Sequence, residues 1–152
     1  MQWNKNDTDQ YLQAKEYIDT VVMALIPFQL SNDQELSKLA YQDEVLQIFA
    51  SEITRELSGR TMQVPAYHYL KSANRESETD RINTWIQDSA KQPFQHTFLL
   101  TFDASWKKQE RELNGNLLWL PGIQSGDIHS KEIRQYIHDQ VMQISELIQS
   151  YW

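Results

Sequence analysis

The chain has 152 residues, a formal net charge of −7, 40% hydrophobic and 23% charged residues, and no cysteine. This length suits one domain with a full core, so we expect residues 1–152 to form a single domain. The absence of cysteine excludes disulfides, thiol nucleophiles, iron–sulfur clusters and cysteine-ligated zinc. The acidic balance opposes binding to nucleic acid, so no nucleic-acid partner is expected.

The hydropathy of the chain argues against a membrane segment. The N-terminal stretch carries no apolar run typical of a signal peptide. The longest apolar run, Val21 to Phe28, is much shorter than the about 20 residues that a spanning helix needs. We therefore expect no membrane insertion and a cytoplasmic location.

The first elements are a short helix and a buried strand. Apolar positions at helical spacing predict a helix from Asp7 to Ile18, with Asp7 or Thr8 as N-cap. The run TVVMALIPF, from Thr20 to Phe28, is almost continuously apolar and rich in β-branched residues. That pattern is typical of a strand buried on both faces of a parallel sheet.

A long helical pattern follows. Ser31 and Gln34 have the spacing of a capping box, apolar residues then recur every three or four positions, and Gly59 marks a C-terminal stop. One uninterrupted helix would be long for a domain of this size. A break near Tyr41 to Asp43 is therefore an alternative, and residues 43–58 are the secure part.

The middle of the chain predicts an edge strand and a short helix. Thr61 to Leu70 has strand-like residues, but Pro65 cannot donate to a ladder, which indicates a strand end or an edge. Ser72 to Ser77 is polar and predicts a loop. Ile82, Trp85, Ile86 and Ser89 then form one face of a short helix.

Two further buried strands are predicted at His96 to Asp103 and at Asn116 to Gly122. Between them, Asn114-Gly115 fits a hairpin turn, or alternatively ends a short helix capped by Ser105 that makes a parallel crossover. The polar segment KKQERE is poor strand material and favours the crossover. From Ser130 onwards the chain shows its clearest amphipathic helix.

Helices alternating with strands predict an α/β fold. We expect a single domain with a mostly parallel four-stranded sheet and helices on both faces. In such sheets ligands bind beyond the carboxyl ends of the strands. The chemically useful residues expected at that rim, besides Lys71, are His68, Asp103, Asp127 and His129.

These four side chains admit two interpretations. Two imidazoles and two carboxylates at one rim suit acid–base chemistry or the binding of a divalent metal. Polar residues at strand ends are more often turn and capping residues, and we favour that interpretation. The loop GIQSGD lacks the phosphate-binding glycine patterns, and no histidine pair has zinc-binding spacing, so neither a cofactor nor a metal is predicted.

Aromatic residues are abundant, with five tryptophans and seven tyrosines. Tyr67, Tyr69 and Trp119 are candidates for an aromatic binding surface. In the competing interpretation, which we favour, Trp85 and Trp119 belong to the core, and Trp3 and Trp152 seal the chain ends. Trp152 is expected to dock on the domain or on a partner chain.

Four segments carry a family resemblance: Trp3 with AKEYIDTVVMALIPF, then GRTMQVPAYHYL, FLLTFD and LLWLPG. Together they resemble the YpiF-like family of small uncharacterised proteins from Bacillus relatives, over essentially the whole chain. The family pattern has more prolines after the last strand than WLPGIQSGD carries. The resemblance implies an intracellular protein without an established activity or catalytic residues.

The functional expectation follows from the lack of a catalytic motif and the surplus of aromatics. It is a non-catalytic intracellular domain that binds another protein or a second copy of itself. The alternative is a small-ligand binder or an enzyme that uses the strand-end rim.

Overall fold

The computed structural model describes residues 1–123 and 125–152. Two 3₁₀ helices, Lys15–Tyr17 and Ala104–Gln109, accompany the main elements. The main elements are α1 (Lys5–Gln13), β1 (Thr20–Phe28), α2 (Leu36–Glu56), β2 (Thr61–Gln63), β3 (Tyr67–Leu70), α3 (Arg75–Ser89), β4 (His96–Thr101), β5 (Asn116–Trp119) and α4 (Lys131–Gln149).

The sheet is parallel throughout its described pairings. β4 lies between β1 and the edge strand β5, and β2 and β3 both pair with the other side of β1. β2 pairs with Thr20–Val22, whereas β3 pairs with Leu25–Phe28. The two short strands therefore act as one edge strand that is interrupted at Pro65, as the proline predicts.

Helices cover both faces of this sheet, which confirms the predicted α/β architecture. Val22, Ala24 and Ile26 of β1 belong to a core shared with α2 and α4. The alternate residues Met23 and Leu25 pack against α3 and the Ala104–Gln109 3₁₀ helix. Because successive strand residues point to opposite faces, an almost unbroken apolar strand serves both layers.

The first helix differs from the prediction at both ends. α1 begins at Lys5, because the side chain of Asn4 accepts a hydrogen bond from the Asp7 backbone N–H at 2.8 Å. The predicted caps Asp7 and Thr8 therefore lie inside the helix. The 3₁₀ turn at Lys15–Tyr17 replaces its last predicted turn.

The long helix α2 is continuous, so the alternative of a break near Tyr41 to Asp43 is wrong. Its apolar side is buried along its length against the sheet and α4, and such packing holds a long helix together. The predicted capping box is also wrong. Glu35 precedes the helix without a side-chain cap, and the Asn32 side chain accepts from the Gln34 N–H instead.

The remaining connections decide the open alternatives. α3 begins at Arg75, inside the predicted polar loop, because the Asn74 side chain caps it. β4 and β5 are parallel, so Asn114-Gly115 is part of a crossover and not a hairpin turn. The cap of the 3₁₀ helix in this crossover is Asp103 and not Ser105. Ser130 caps α4 as predicted.

Two further expectations concern the membrane and the chain end. Across residues 1–123 and 125–152, no helix combines the length and the hydropathy required to cross a bilayer. Trp152 docks on its own domain: its indole N–H donates to the Thr20 hydroxyl at 3.0 Å, and the Arg60 guanidinium lies 4.0 Å from its ring centroid.

Candidate functional site

A pocket of about 570 Å³ lies where β1, β4 and β5 end. We call it the strand-end pocket. Its walls come from the N-terminal half of α2, the segment after β3, the segment after β4 and the loop after β5. The residues used below that line it are Ile26, Lys38, Leu39, Gln42, Lys71, Arg75, Phe102, Asp103, Ala104, Ser105, Trp119 and Gly122.

The loop after β5 approaches the pocket closely at Gly122. A Cβ atom there would lie 3.1 Å from the Phe102 ring and 3.3 Å from the Gln42 amide nitrogen. Both distances are tighter than ordinary van der Waals contact. The glycine therefore lets this loop form a wall of the pocket.

Asp103 is the acidic residue of the pocket wall. Its carboxylate accepts hydrogen bonds from the Tyr69 hydroxyl at 2.8 Å, the Ser105 backbone N–H at 2.9 Å and the Arg75 Nη2 at 3.2 Å. Partial burial alone would raise the pKa of Asp103. The hydrogen bonds from Ser105 and Tyr69 and the charge of Arg75 outweigh it and hold the pKa below its usual value.

Arg75 is held in one orientation by four acceptors. Its Nε donates to the Ser105 hydroxyl at 2.9 Å, and its two terminal nitrogens donate to the Ala73 and Lys71 carbonyls and to Asp103. The guanidinium also lies 4.6 Å from the centroid of the Tyr69 ring. A planar cation with this many fixed contacts is a rigid part of the wall.

A buried hydrogen-bond chain supports this wall from below. The indole N–H of Trp106, whose side chain is fully buried, donates to the Tyr69 hydroxyl at 2.9 Å. That hydroxyl in turn donates to Asp103. Burial, followed by the neighbouring charge of Asp103, raises the pKa of Tyr69. Tyr69 is thus a protonated donor at neutral pH.

The pocket is positively charged within an acidic protein. Among its described lining residues, Lys38, Lys71 and Arg75 are cationic and Asp103 alone is anionic. The Lys71 ammonium lies 3.3 Å from a carboxylate oxygen of Glu35. Lys38 is half-buried, and no hydrogen bond or ion pair joins its side chain to another described residue.

The structure places one of the four predicted rim residues in this pocket. Asp103 lines it, whereas His68, Asp127 and His129 do not belong to its described lining. His68 points to the α2 side of β3, where its Nε2 lies 3.1 Å from an Asp43 carboxylate oxygen. Asp127 is exposed and accepts from the His129 backbone N–H, as a residue closing a turn does.

The aromatic surface candidates divide in the same way. Tyr67 and Tyr69 are wrong as surface residues, because they are only 7% and 3% exposed. Strand alternation turns both rings of β3 towards α3, where the Tyr67 hydroxyl donates to Glu78. Trp119 is 39% exposed, lines the strand-end pocket and carries the Lys107 ammonium 3.8 Å from its ring centroid.

Sequence reasoning missed Lys38 and Arg75. Lys38 lies in the first turn of α2, whose start was predicted too early, and Arg75 lies in a segment predicted as a loop. A basic residue directly after a strand is a signal that fits Lys71, whereas Arg75 follows the end of β3 by five residues and had no such signal. No pattern in the chain pairs Lys38 with the sheet end.

A second cavity, of about 710 Å³, lies between α1 and α3. We call it the α1–α3 groove and define it by Trp3, Leu12, Trp85 and Phe94. Trp3 and Leu12 are 65% and 60% exposed, and Trp85 is 40% exposed. The interpretation that Trp3 seals a chain end and Trp85 belongs to the core does not fit these exposures.

Over the described part of the chain, no group of three or more histidines or carboxylates converges on a metal site.

Comparison with known proteins assigns the chain to a family. Residues 9–152 match the family described as protein of unknown function (DUF2487), so the chain belongs to that family. It is 27% identical to the uncharacterized protein YpiF of Bacillus subtilis strain 168 over 152 residues, which cover 100% of this chain and 98% of that protein. The predicted resemblance to a YpiF-like family is confirmed. No solved structure matches the chain.

Proposed function

We propose that this protein is a non-catalytic binding domain that takes a small molecule into the strand-end pocket. The observation that carries the proposal is the fixed polar wall of Asp103, Arg75 and Ser105, which faces a cavity at the carboxyl ends of a parallel sheet. Ligands of open α/β sheets bind at this edge, and a volume of about 570 Å³ is typical of small-molecule sites.

The protonation states in the wall support binding over acid–base catalysis. Asp103 has a lowered pKa and already accepts three hydrogen bonds, so it is a poor proton acceptor. Tyr69 has a raised pKa and is not a proton donor of useful strength near neutral pH. The enzyme alternative relied on His68, Asp103, Asp127 and His129, and of these only Asp103 belongs to the described lining of the pocket.

A blocking variant tests this proposal. Ala104 is exposed and lines the pocket, so Ala104→Trp fills part of it without removing a side-chain contact. Ala40, which is exposed on α2 but does not line the pocket, gives the matched control Ala40→Trp. The assay is a thermal-shift screen with small carboxylates, phosphates, nucleotides and sugars.

We expect a compound that raises the Tm of the wild type and of Ala40→Trp but not of Ala104→Trp. At 100 times its Kd, such a ligand adds about 2.7 kcal/mol to the free energy of unfolding. A screen in which no compound separates the two variants contradicts the proposal.

Protein binding, the leading expectation from the sequence, is the second candidate function. The α1–α3 groove favours it, because the exposed rings of Trp3 and Trp85 border one apolar cavity. Its occupant would be another protein or a second copy of this chain. Sedimentation of the wild type over a range of concentrations, beside Trp85→Ser, tests the second copy. A mass that stays that of one chain at every concentration rules it out.

A cytoplasmic location and the lack of a nucleic-acid partner are further proposals. The net charge of −7 supports the second, because a phosphate backbone would be repelled.

A further inference from the structure

We propose that the ligand of the strand-end pocket is an organic anion with a flat apolar body. Its carboxylate or phosphate group binds Lys38 and Lys71, and its body lies against Phe102 and Trp119. This inference rests on the proposed function, since it names the class of molecule that the same pocket takes.

The charged side chains that line the pocket favour an anionic ligand. Asp103 is offset by the Arg75 ion pair and the Tyr69 hydrogen bond, so this part of the wall is close to neutral. Lys38 and Lys71 remain as two further cations on the lining. The protein has a net charge of −7, yet this cavity is lined by Lys38, which has no described partner, and by Lys71, whose partner Glu35 is not a lining residue. Such a cavity is suited to attract a negative ligand.

The ammonium groups of Lys38 and Lys71 are both available to bind a ligand anion. Glu35 is the described partner of Lys71, and the two side chains are 29% and 41% exposed. Ion pairs as exposed as this one contribute little to stability, so a ligand anion can replace Glu35 at low cost. Lys38 has no described partner to give up, and its side chain lines the cavity as a half-buried residue.

The rest of the lining indicates the body of the ligand. Phe102 and the 39%-exposed Trp119 border the same cavity as the two lysines, together with Ile26 and Leu39. Inorganic phosphate would leave the exposed parts of Phe102 and Trp119 in contact with water. An aromatic or aliphatic body attached to the anion covers them and adds the free energy of apolar burial.

Two fluorescent probes that differ only in charge test the inference. 1-Anilinonaphthalene-8-sulfonate is an aromatic anion, and N-phenyl-1-naphthylamine has the same rings without the sulfonate. We expect the anion to bind the wild type more tightly. In Lys38→Met/Lys71→Met the affinity for the anion falls at least about tenfold, while that for the neutral probe is unchanged. Lys38→Arg keeps the cation and retains binding of the anion.

Control variants separate the possible results. Lys91 is exposed beside Asp88 of the α1–α3 groove, so Lys91→Met reports a probe seated in that groove. Loss of anion binding in Lys91→Met, or no loss in the double lysine variant, overturns the inference. If Ala104→Trp still removes binding of both probes, the small-molecule pocket stands and only the anion is wrong. Probe binding that survives Ala104→Trp overturns both.

Competition then identifies the anionic group. Benzoate, phenyl phosphate and uncharged benzamide share one ring, so displacement of the bound probe by either anion but not by benzamide supports the inference. The anion that displaces at the lower concentration identifies the group as carboxylate or phosphate. Equal displacement by benzamide overturns it. Each variant is first shown to keep the urea midpoint of the wild type.

Discussion

Tyr69→Phe removes a single oxygen atom from the centre of the hydrogen-bond chain beneath the strand-end pocket. The Tyr69 hydroxyl accepts from the Trp106 indole N–H at 2.9 Å and donates to Asp103 at 2.8 Å. Trp106 is fully buried and Tyr69 is only 3% exposed, so water cannot take the place of the lost oxygen. The variant leaves the shape of the ring and its packing unchanged.

The magnitude follows from the donor that is left without a partner. A buried polar group that loses its only hydrogen bond costs about 1–3 kcal/mol. Asp103 keeps its hydrogen bonds from Ser105 and Arg75, so the loss of the one from Tyr69 adds less to the destabilisation. We expect the free energy of unfolding to fall by about 2 kcal/mol. For a domain of this size that lowers the Tm by roughly 4–8 °C.

Urea denaturation followed by circular dichroism measures the change, with Tyr17→Phe as the matched control. Tyr17 is 67% exposed, so its hydroxyl is solvated in the folded and unfolded states alike. The control should stay within about 0.5 kcal/mol of the wild type. A Tyr69→Phe variant that is as stable as the control would refute the importance of the chain from Trp106 to Asp103.

Three further variants test other parts of the structure by the free energy of unfolding in urea. Asp103 ionises with a lowered pKa in the folded state, so its ion stabilises the fold above about pH 4 and this stability is lost as the pH falls through the folded-state pKa. Asp103→Asn should therefore have a lower free energy of unfolding than the wild type at pH 7, and the difference should shrink below about pH 4. A difference that stays the same from pH 7 to below about pH 4 contradicts this. Gly126 has a φ of +129°, and a Cβ there would lie 3.0 Å from Ile133. Gly126→Ala should therefore lower the free energy of unfolding by about 1–3 kcal/mol. An unchanged urea midpoint would contradict this backbone conformation at Gly126. Trp152→Ala removes the ring that packs on Arg60 and one hydrogen bond; we expect a loss of about 2 kcal/mol, and a neutral result would mean that the chain end is undocked in solution.

Local patterns were sufficient for the elements with a strong periodicity. The apolar run from Thr20 to Phe28 identified the central strand, and Ser130 with the amphipathic stretch after it identified the cap and the course of α4. Their boundaries depend on residues adjacent in sequence. The starts of α1 and α3 were missed because Asn4 and Asn74 cap them from segments with no apolar pattern.

The candidate site was only partly accessible from the sequence. Asp103 was placed correctly at the end of a strand, because the end of an apolar run in the sequence is enough to locate a strand end. His68 was also placed at a strand end, but its side chain belongs to the opposite face from Tyr69. A shift of one residue along a strand reverses the face, and the alternation in YHYL did not show which face was which.

Composition and periodicity determine that this chain forms one α/β domain with a parallel sheet, because burial of apolar residues dictates which segments become helices and strands. Tertiary structure alone decides that Lys38 of α2, Lys71 after β3 and Arg75 of α3 line one cavity with Asp103. These residues lie up to 65 positions apart, from Lys38 to Asp103. The packing of α2 on the sheet places its N-terminal half at the pocket. That placement follows from the packing of whole elements against each other, which no local pattern records.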